Sequence, residues 1–167
     1  MEKNHIVLLL GGNLGDTRGY LRNALALLEH QLGFITHNSY FYHSPSWGFS
    51  SHDFINMALI IETDKTAQEC LVITQDAEEE LGRVREENEG EYHDRVVDID
   101  IIFYNDLILE SNDLVIPHPK MQERNFVLQP LSEMIPDFIH PLLKKSVLEL
   151  ANNCTDPQKA TRLNESV

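Results

Sequence analysis

Two carboxylates stand one residue apart at the head of an apolar run, Asp98-Ile99-Asp100-Ile101-Ile102-Phe103. Successive side chains on a β-strand alternate between faces, so Asp98 and Asp100 project together, with Cα atoms about 6–7 Å apart. Ile99 and Ile101 then enter the opposite layer. Paired carboxylates repel one another and are costly to strip of water, so a cation must compensate. One source is the group Arg83, Arg85 and Arg95 upstream, which would give a structural Asp–Arg network at a sheet edge. The other is a hard metal ion. Mg²⁺ takes one or two carboxylates and completes its shell with water and substrate phosphates.

Other constellations are weaker alone. Ser44-Pro45-Ser46-Trp47-Gly48 and Phe54-Ile55-Asn56 bracket one loop. An amide with donor and acceptor between flat aromatic faces suits a planar heteroaromatic ligand, and a core aromatic cluster ending in an asparagine would look the same. Arg124 and His118 could approach one anion, arginine offering a planar fork of donors. Gln75 and Glu78 share a helix face with Leu71. The turn Gly11-Gly12-Asn13-Leu14-Gly15 joins a strand to a helix. It lacks G-x-G-x-x-G spacing, and no Gly-Lys-Ser/Thr follows, so neither dinucleotide fingerprint nor P-loop applies.

Composition narrows the function classes. Thirteen Lys and Arg against 27 Asp and Glu give a formal charge of −14, the opposite of the basic surface that nucleic acid or an anionic membrane requires. Convergent arginines joined by metal can still hold a phosphorylated small molecule. Cys70 and Cys154 have no metal-ligand spacing, and the histidines form no zinc pattern. The N-terminus lacks the basic and apolar segments of a secretory signal, and no apolar run reaches membrane-spanning length. The default expectation is a cytoplasmic protein of one domain over residues 1–167.

The elements that would position these groups follow from hydrophobic spacing. Residues 5–11 read as a strand buried on both faces. A helix capped by Asp16 or Thr17 carries Leu21, Ala24, Leu25, Leu28 and Leu32 inward and stops at Gly33. Residues 34–43 and 54–63 read as strands. Thr66-Ala67-Gln68-Glu69 is a capping box opening a second helix that ends before Gly82. A polar loop, 83–95, leads to the aspartate strand. The order β-α-β-β-α-β predicts an α+β, ferredoxin-like antiparallel sheet. A hairpin turning at Asn105-Asp106 is expected next, then short helices over 122–134 and 146–152 and a polar tail that frays from about 153.

Four blocks in order resemble the 6-hydroxymethyl-7,8-dihydropterin pyrophosphokinase family. They are Leu10-Gly11-Gly12-Asn13-Leu14-Gly15; Ser44-Pro45 through Phe54-Ile55-Asn56; Gly82-Arg83-Val84-Arg85 through Arg95-Val96-Val97-Asp98-Ile99-Asp100-Ile101; and Val115-Ile116-Pro117-His118 through Arg124-Asn125-Phe126-Val127-Leu128-Gln129-Pro130-Leu131. The resemblance implies a ferredoxin-like α+β fold and transfer of diphosphate from ATP to the pterin hydroxymethyl group, releasing AMP, in folate biosynthesis. It implies that Asp98 and Asp100 ligate two Mg²⁺ ions and that Arg83 and Arg95 neutralise charge at the breaking bond. Gln75, Arg85, Ile101, His118 and Arg124 match nucleotide-contacting positions. Ser44, Pro45, Trp47, Phe54, Asn56 and Phe126 match pterin-pocket positions.

The chain also departs from the family pattern. Gly12 stands where serine is usual, Trp47 where a smaller aliphatic residue is usual, and Phe54 lacks a hydroxyl often found there. Residues 86–94 are acidic where relatives commonly have a basic loop, and their five carboxylates oppose a triphosphate unless the loop swings away or binds cations. Two other readings of the residues are a D-x-D metal-dependent transferase using a different donor and a pterin- or nucleotide-binding relative without turnover.

Overall fold

The computed structural model describes residues 2–45, 53–82, 96–165 and 167. Strand β1 (Asn4–Gly12) lies between β4 (Phe54–Thr63) and β5 (Asp98–Tyr104), antiparallel to both. β2 (Gly33–Asn38) and β3 (Tyr42–Ser44) pair with successive stretches of β4, and β8 (Thr161–Arg162) pairs with β3. The sheet order is therefore β5-β1-β4-β3-β8, with β2 beside β4.

Alternation along the strands sorts the core into two layers. Ile6, Leu8 and Leu10 of β1, with Met57, Leu59 and Ile61 of β4, pack against α1 (Thr17–Gln31) and α2 (Ala67–Glu80). Val7 and Leu9, with Ala58 and Ile60, pack against α3 (Asn125–Met134) and α4 (Val147–Asn152). β1 is thus buried on both faces, as its unbroken apolar run predicts. Asp16, Thr66 and Ser146 each accept a main-chain N–H three residues on, from Gly19, Glu69 and Glu149. These contacts set where α1, α2 and α4 begin.

Two expectations are corrected. Residues 34–43 form two strands rather than one. The Ser39 N–H donates to the Ala58 carbonyl at 2.8 Å, while the Ala58 N–H donates to the Ser39 hydroxyl at 2.9 Å. A side chain has replaced a ladder carbonyl, and the displaced chain sends Phe41 fully into the core. The hairpin does not form on β5. Asn105 closes its turn onto β1, donating to His5 and accepting from it, and β6 (Leu109–Glu110) pairs with β7 (Val115–Ile116) instead.

The polar tail expected to fray turns back onto the domain. Beyond α4 it holds the start of α3 through Asp156 and joins the sheet as β8. Its Asp156 carboxylate accepts the Asn125 main-chain N–H, and Leu163 and Val167 pack half-buried against the α1 and α2 layer.

Candidate functional site

The ladder puts Asp98, Gly11 and Asn56 in one row across β5, β1 and β4, and Tyr42 continues it on β3. Asp100 lies opposite Leu9 in the same register. Leu9 belongs to the α3 and α4 layer, whereas Ile99 and Ile101 belong to the α1 and α2 layer. Asp98 and Asp100 therefore share the face that carries Asn56, and Phe54, two residues before Asn56, shares it too.

Gly11 is a structural requirement of this row. A Cβ there would run into the Asn56 amide, whose Nδ2 donates to the Leu10 carbonyl at 3.4 Å. Asn56 is 6% exposed, and its amide lies over the gap that glycine leaves. Ser44 pairs with Phe54 at the end of β3 and is buried. Pro45 follows it at the surface. Phe126, in the first turn of α3, packs at the edge of the second core layer with the Arg124 guanidinium 5.6 Å from its ring centroid.

A cavity of about 300 Å³ opens at the outer edge of β5, lined by Leu71, Asp100, Ile101, Asn112, Asp113 and His118 among others. It gathers Asp100 and Ile101 from one sequence block and His118 from another. Gln75 stands one helical turn beyond Leu71 on α2 and is half-buried. The His118 ring accepts the Lys120 N–H at Nδ1, 3.3 Å away, so the neutral ring carries its proton on Nε2. Burial, and then the Arg124 guanidinium, hold the imidazole below its ordinary pKa, with Asp98 pulling the other way. Arg124 and Asp98 are thus each close enough to His118 to act on its charge. Trp47, Arg83, Arg85, Arg95 and the acidic run 86–94 lie outside the described residues.

The carboxylate pair is the donor set to test for a metal. Among the described residues no group of three His, Cys, Asp or Glu side chains converges. Two hard oxygen donors on one strand face fit Mg²⁺, which leaves positions for water and phosphate oxygens, and do not fit a closed structural site.

Helix spacing set Glu78 beside Gln75 without giving it a partner, and no pattern pointed to Asn112 or Asp113. Glu78 is buried, and its carboxylate accepts the Ile99 N–H at 3.1 Å. β5 is an edge strand whose outward N–H groups need an acceptor, which is the signal that could have marked Glu78. Asn112 and Asp113 reach the cavity from the β6–β7 loop, where no motif points to them.

Paired carboxylates on a strand, beside a cavity lined by His118 with Arg124 near that histidine, fit an enzyme that moves phosphoryl-type groups. Comparison with known proteins narrows this class. The family model described as 7,8-dihydro-6-hydroxymethylpterin-pyrophosphokinase matches residues 7–136. A Porphyromonas gingivalis 2-amino-4-hydroxy-6-hydroxymethyldihydropteridine pyrophosphokinase is 41% identical over 138 residues, 81% of this chain and 93% of that protein. The Bacillus subtilis protein of the same name is 41% identical over 133 residues, 78% of each chain. Among solved structures, wild-type Plasmodium falciparum HPPK-DHPS superposes with a TM-score of 0.72 at 20% identity, over 90% of this chain and 44% of that one. The present chain thus spans less than half of that solved chain, and the likeness there is one of fold. The chain belongs to the 7,8-dihydro-6-hydroxymethylpterin-pyrophosphokinase family.

Proposed function

We propose that the chain transfers the terminal diphosphate of ATP to the hydroxymethyl oxygen of 6-hydroxymethyl-7,8-dihydropterin, giving the pterin diphosphate and AMP, as a single domain of ferredoxin-like topology. Family membership supports the reaction. The observation that carries the site is the row Asp98–Gly11–Asn56, which sets a carboxylate pair and a ring-reading amide on one face with only a glycine between them.

In this reading Asn56 hydrogen-bonds the polar edge of the pterin, Phe54 and Phe126 bracket its ring, and Ser44, Pro45 and Trp47 border it. The β5 cavity takes the nucleotide through Ile101, Gln75, Arg85, His118 and Arg124. His118, neutral with its proton on Nε2, donates a hydrogen bond and adds no positive charge. Arg124, Arg83 and Arg95 supply the charge that a triphosphate needs. Asp98 and Asp100 would hold Mg²⁺, two ions in this reading, which draws charge from the phosphate oxygens when bound.

The chain's own contribution is alignment. The hydroxymethyl oxygen attacks the β-phosphorus as its proton passes to solvent, the bond to the α-phosphate oxygen breaks, and AMP leaves with that oxygen. Holding the two reactants on strands of one sheet makes the encounter effectively unimolecular. A cytoplasmic setting, where MgATP is abundant, completes the proposal.

AMP release with MgATP and the hydroxymethyl pterin tests the reading. Formation of AMP only when both pterin and Mg²⁺ are present supports it. ATP hydrolysis indifferent to the pterin, or turnover with a different donor, overturns it.

A further inference from the structure

The match to the family model ends at residue 136, yet the chain beyond it reaches back to two borders of the site. Helix α3 begins without a cap of its own, because Arg124 at the N-cap position makes no side-chain capping bond. The cap arrives from 31 residues downstream. The Asp156 carboxylate accepts the Asn125 N–H at 3.0 Å through one oxygen and the Gln158 N–H at 2.9 Å through the other. In return the Asn125 side-chain amide donates to the carbonyls of Asp156 at 3.2 Å and Gln158 at 2.8 Å. A carboxylate at a helix N-terminus is favoured both by the orphan N–H groups and by the helix dipole.

Asn125 is flanked in sequence by Arg124 and Phe126. A few residues on, the same tail segment is anchored elsewhere. Thr161 and Arg162 pair with His43 and Tyr42, the Leu163 N–H donates to the Phe41 carbonyl at 2.8 Å, and the Arg162 guanidinium lies 4.5 Å from the Tyr40 ring centroid. One end of the segment therefore holds the first residue of α3, and the other holds the strand that ends in Ser44.

We infer that residues 156–163 are a strap that fixes the α3 border of the pterin site relative to its β3 border, with Asp156 the positioning residue that sets Phe126 through Asn125. This rests on the reading that Phe126 and Ser44 border the pterin. A tail serving only to stabilise the fold would contribute to unfolding resistance and leave ligand affinity alone. A positioning tail moves affinity for the pterin, because an aromatic wall held loosely must be ordered at the moment of binding.

The test uses the full chain with Asp156→Ala and Asp156→Asn, each shown by circular dichroism to be folded at the assay temperature. Steady-state AMP formation gives KM and kcat, and calorimetric titration gives the pterin Kd. Asp156→Ala is expected to raise pterin KM and Kd about fivefold, the effect of losing one helix-capping contact when it is felt at the site, with kcat little changed. Asp156→Asn keeps an acceptor oxygen for the Asn125 N–H and is expected to restore most of the affinity. A lowered melting temperature with unchanged pterin KM and Kd overturns the strap, as does equal loss in both variants. A wild-type chain that neither binds the pterin nor forms AMP defeats the site reading itself, and the strap with it.

Discussion

The Asn56 amide occupies the space that a side chain at Gly11 would need, with its Nδ2 3.4 Å from the Leu10 carbonyl oxygen. The two residues are opposite one another in the β1–β4 ladder. Gly11→Ala should therefore expel the amide from its position and cost about 1–3 kcal/mol of stability through overpacking. Pterin KM should rise while ATP affinity measured alone stays near wild type. In the double variant with Asn56→Ala the added methyl loses its clash with the amide and keeps the Ile55 carbonyl oxygen at 3.4 Å, so denaturant titrations should show the two costs to be non-additive. Additive losses would mean that the amide and the glycine do not share that space.

Asp98→Asn and Asp100→Asn keep the size and hydrogen-bonding capacity of the side chains and remove their charge. Each should lower AMP formation by roughly a hundredfold or more, the scale seen when an electrostatic group is lost at a reacting centre. Melting temperature should hold or rise, since two like charges on one strand face no longer repel. Chelation of divalent ions should stop turnover by the wild-type chain, and added Mg²⁺ should restore it. Turnover that survives chelation would remove the metal from the mechanism.

Glu78 braces β5, the strand that borders the proposed nucleotide cavity, through the backbone. Its carboxylate accepts the Ile99 N–H, between the two aspartates. Glu78→Ala leaves that buried donor without this acceptor, at about 1–3 kcal/mol, and should raise the KM for ATP as the edge strand loosens. Glu78→Gln retains an acceptor and should recover both values. A Gln variant as impaired as the Ala variant would show that the negative charge, rather than the hydrogen bond, is what matters at this position.

His140 gives the fold a pH dependence of predictable sign. It is 2% exposed, and its Nδ1 accepts the N–H groups of Leu142 at 3.2 Å and Leu143 at 3.0 Å. Burial pushes its pKa below the ordinary histidine value, and His118 is shifted the same way. As pH falls below about 6.5, the unfolded chain takes up protons that the folded chain refuses, so stability declines toward acid and gains nothing from these groups above neutrality. His140→Asn should lower the melting temperature at pH 7.5 and make its decline between pH 7 and 5 shallower than in wild type. An unchanged slope would place the acid sensitivity elsewhere.

Local rules carried much of the reading of the sequence. The shared face of Asp98 and Asp100 follows from strand alternation, and the register with Gly11 and Leu9 agrees with it. Thr66 and Ser146 cap where their side-chain chemistry says they should. What was not legible depends on partners distant along the chain. The break at Ser39 needs Ala58 opposite it, Glu78 needs the bare edge of β5, and the cap of α3 comes from Asp156. The hairpin expected at Asn105 was misplaced for the same reason, because His5 on the neighbouring strand competes for that turn.

The central strand also behaves as a ruler. The proposed metal ligand Asp98 and the proposed ring reader Asn56 flank Gly11 on adjacent strands, so their backbones stand two ladder spacings apart, roughly 9–10 Å. Loop movement cannot alter that separation without breaking the hydrogen bonds of β1. With Asp98 and Asn56 in those proposed roles, the sheet would gauge substrate length as well as shape. A pterin whose hydroxyl is carried one methylene further from the ring should bind with its ring in place and present its oxygen out of line with the phosphorus.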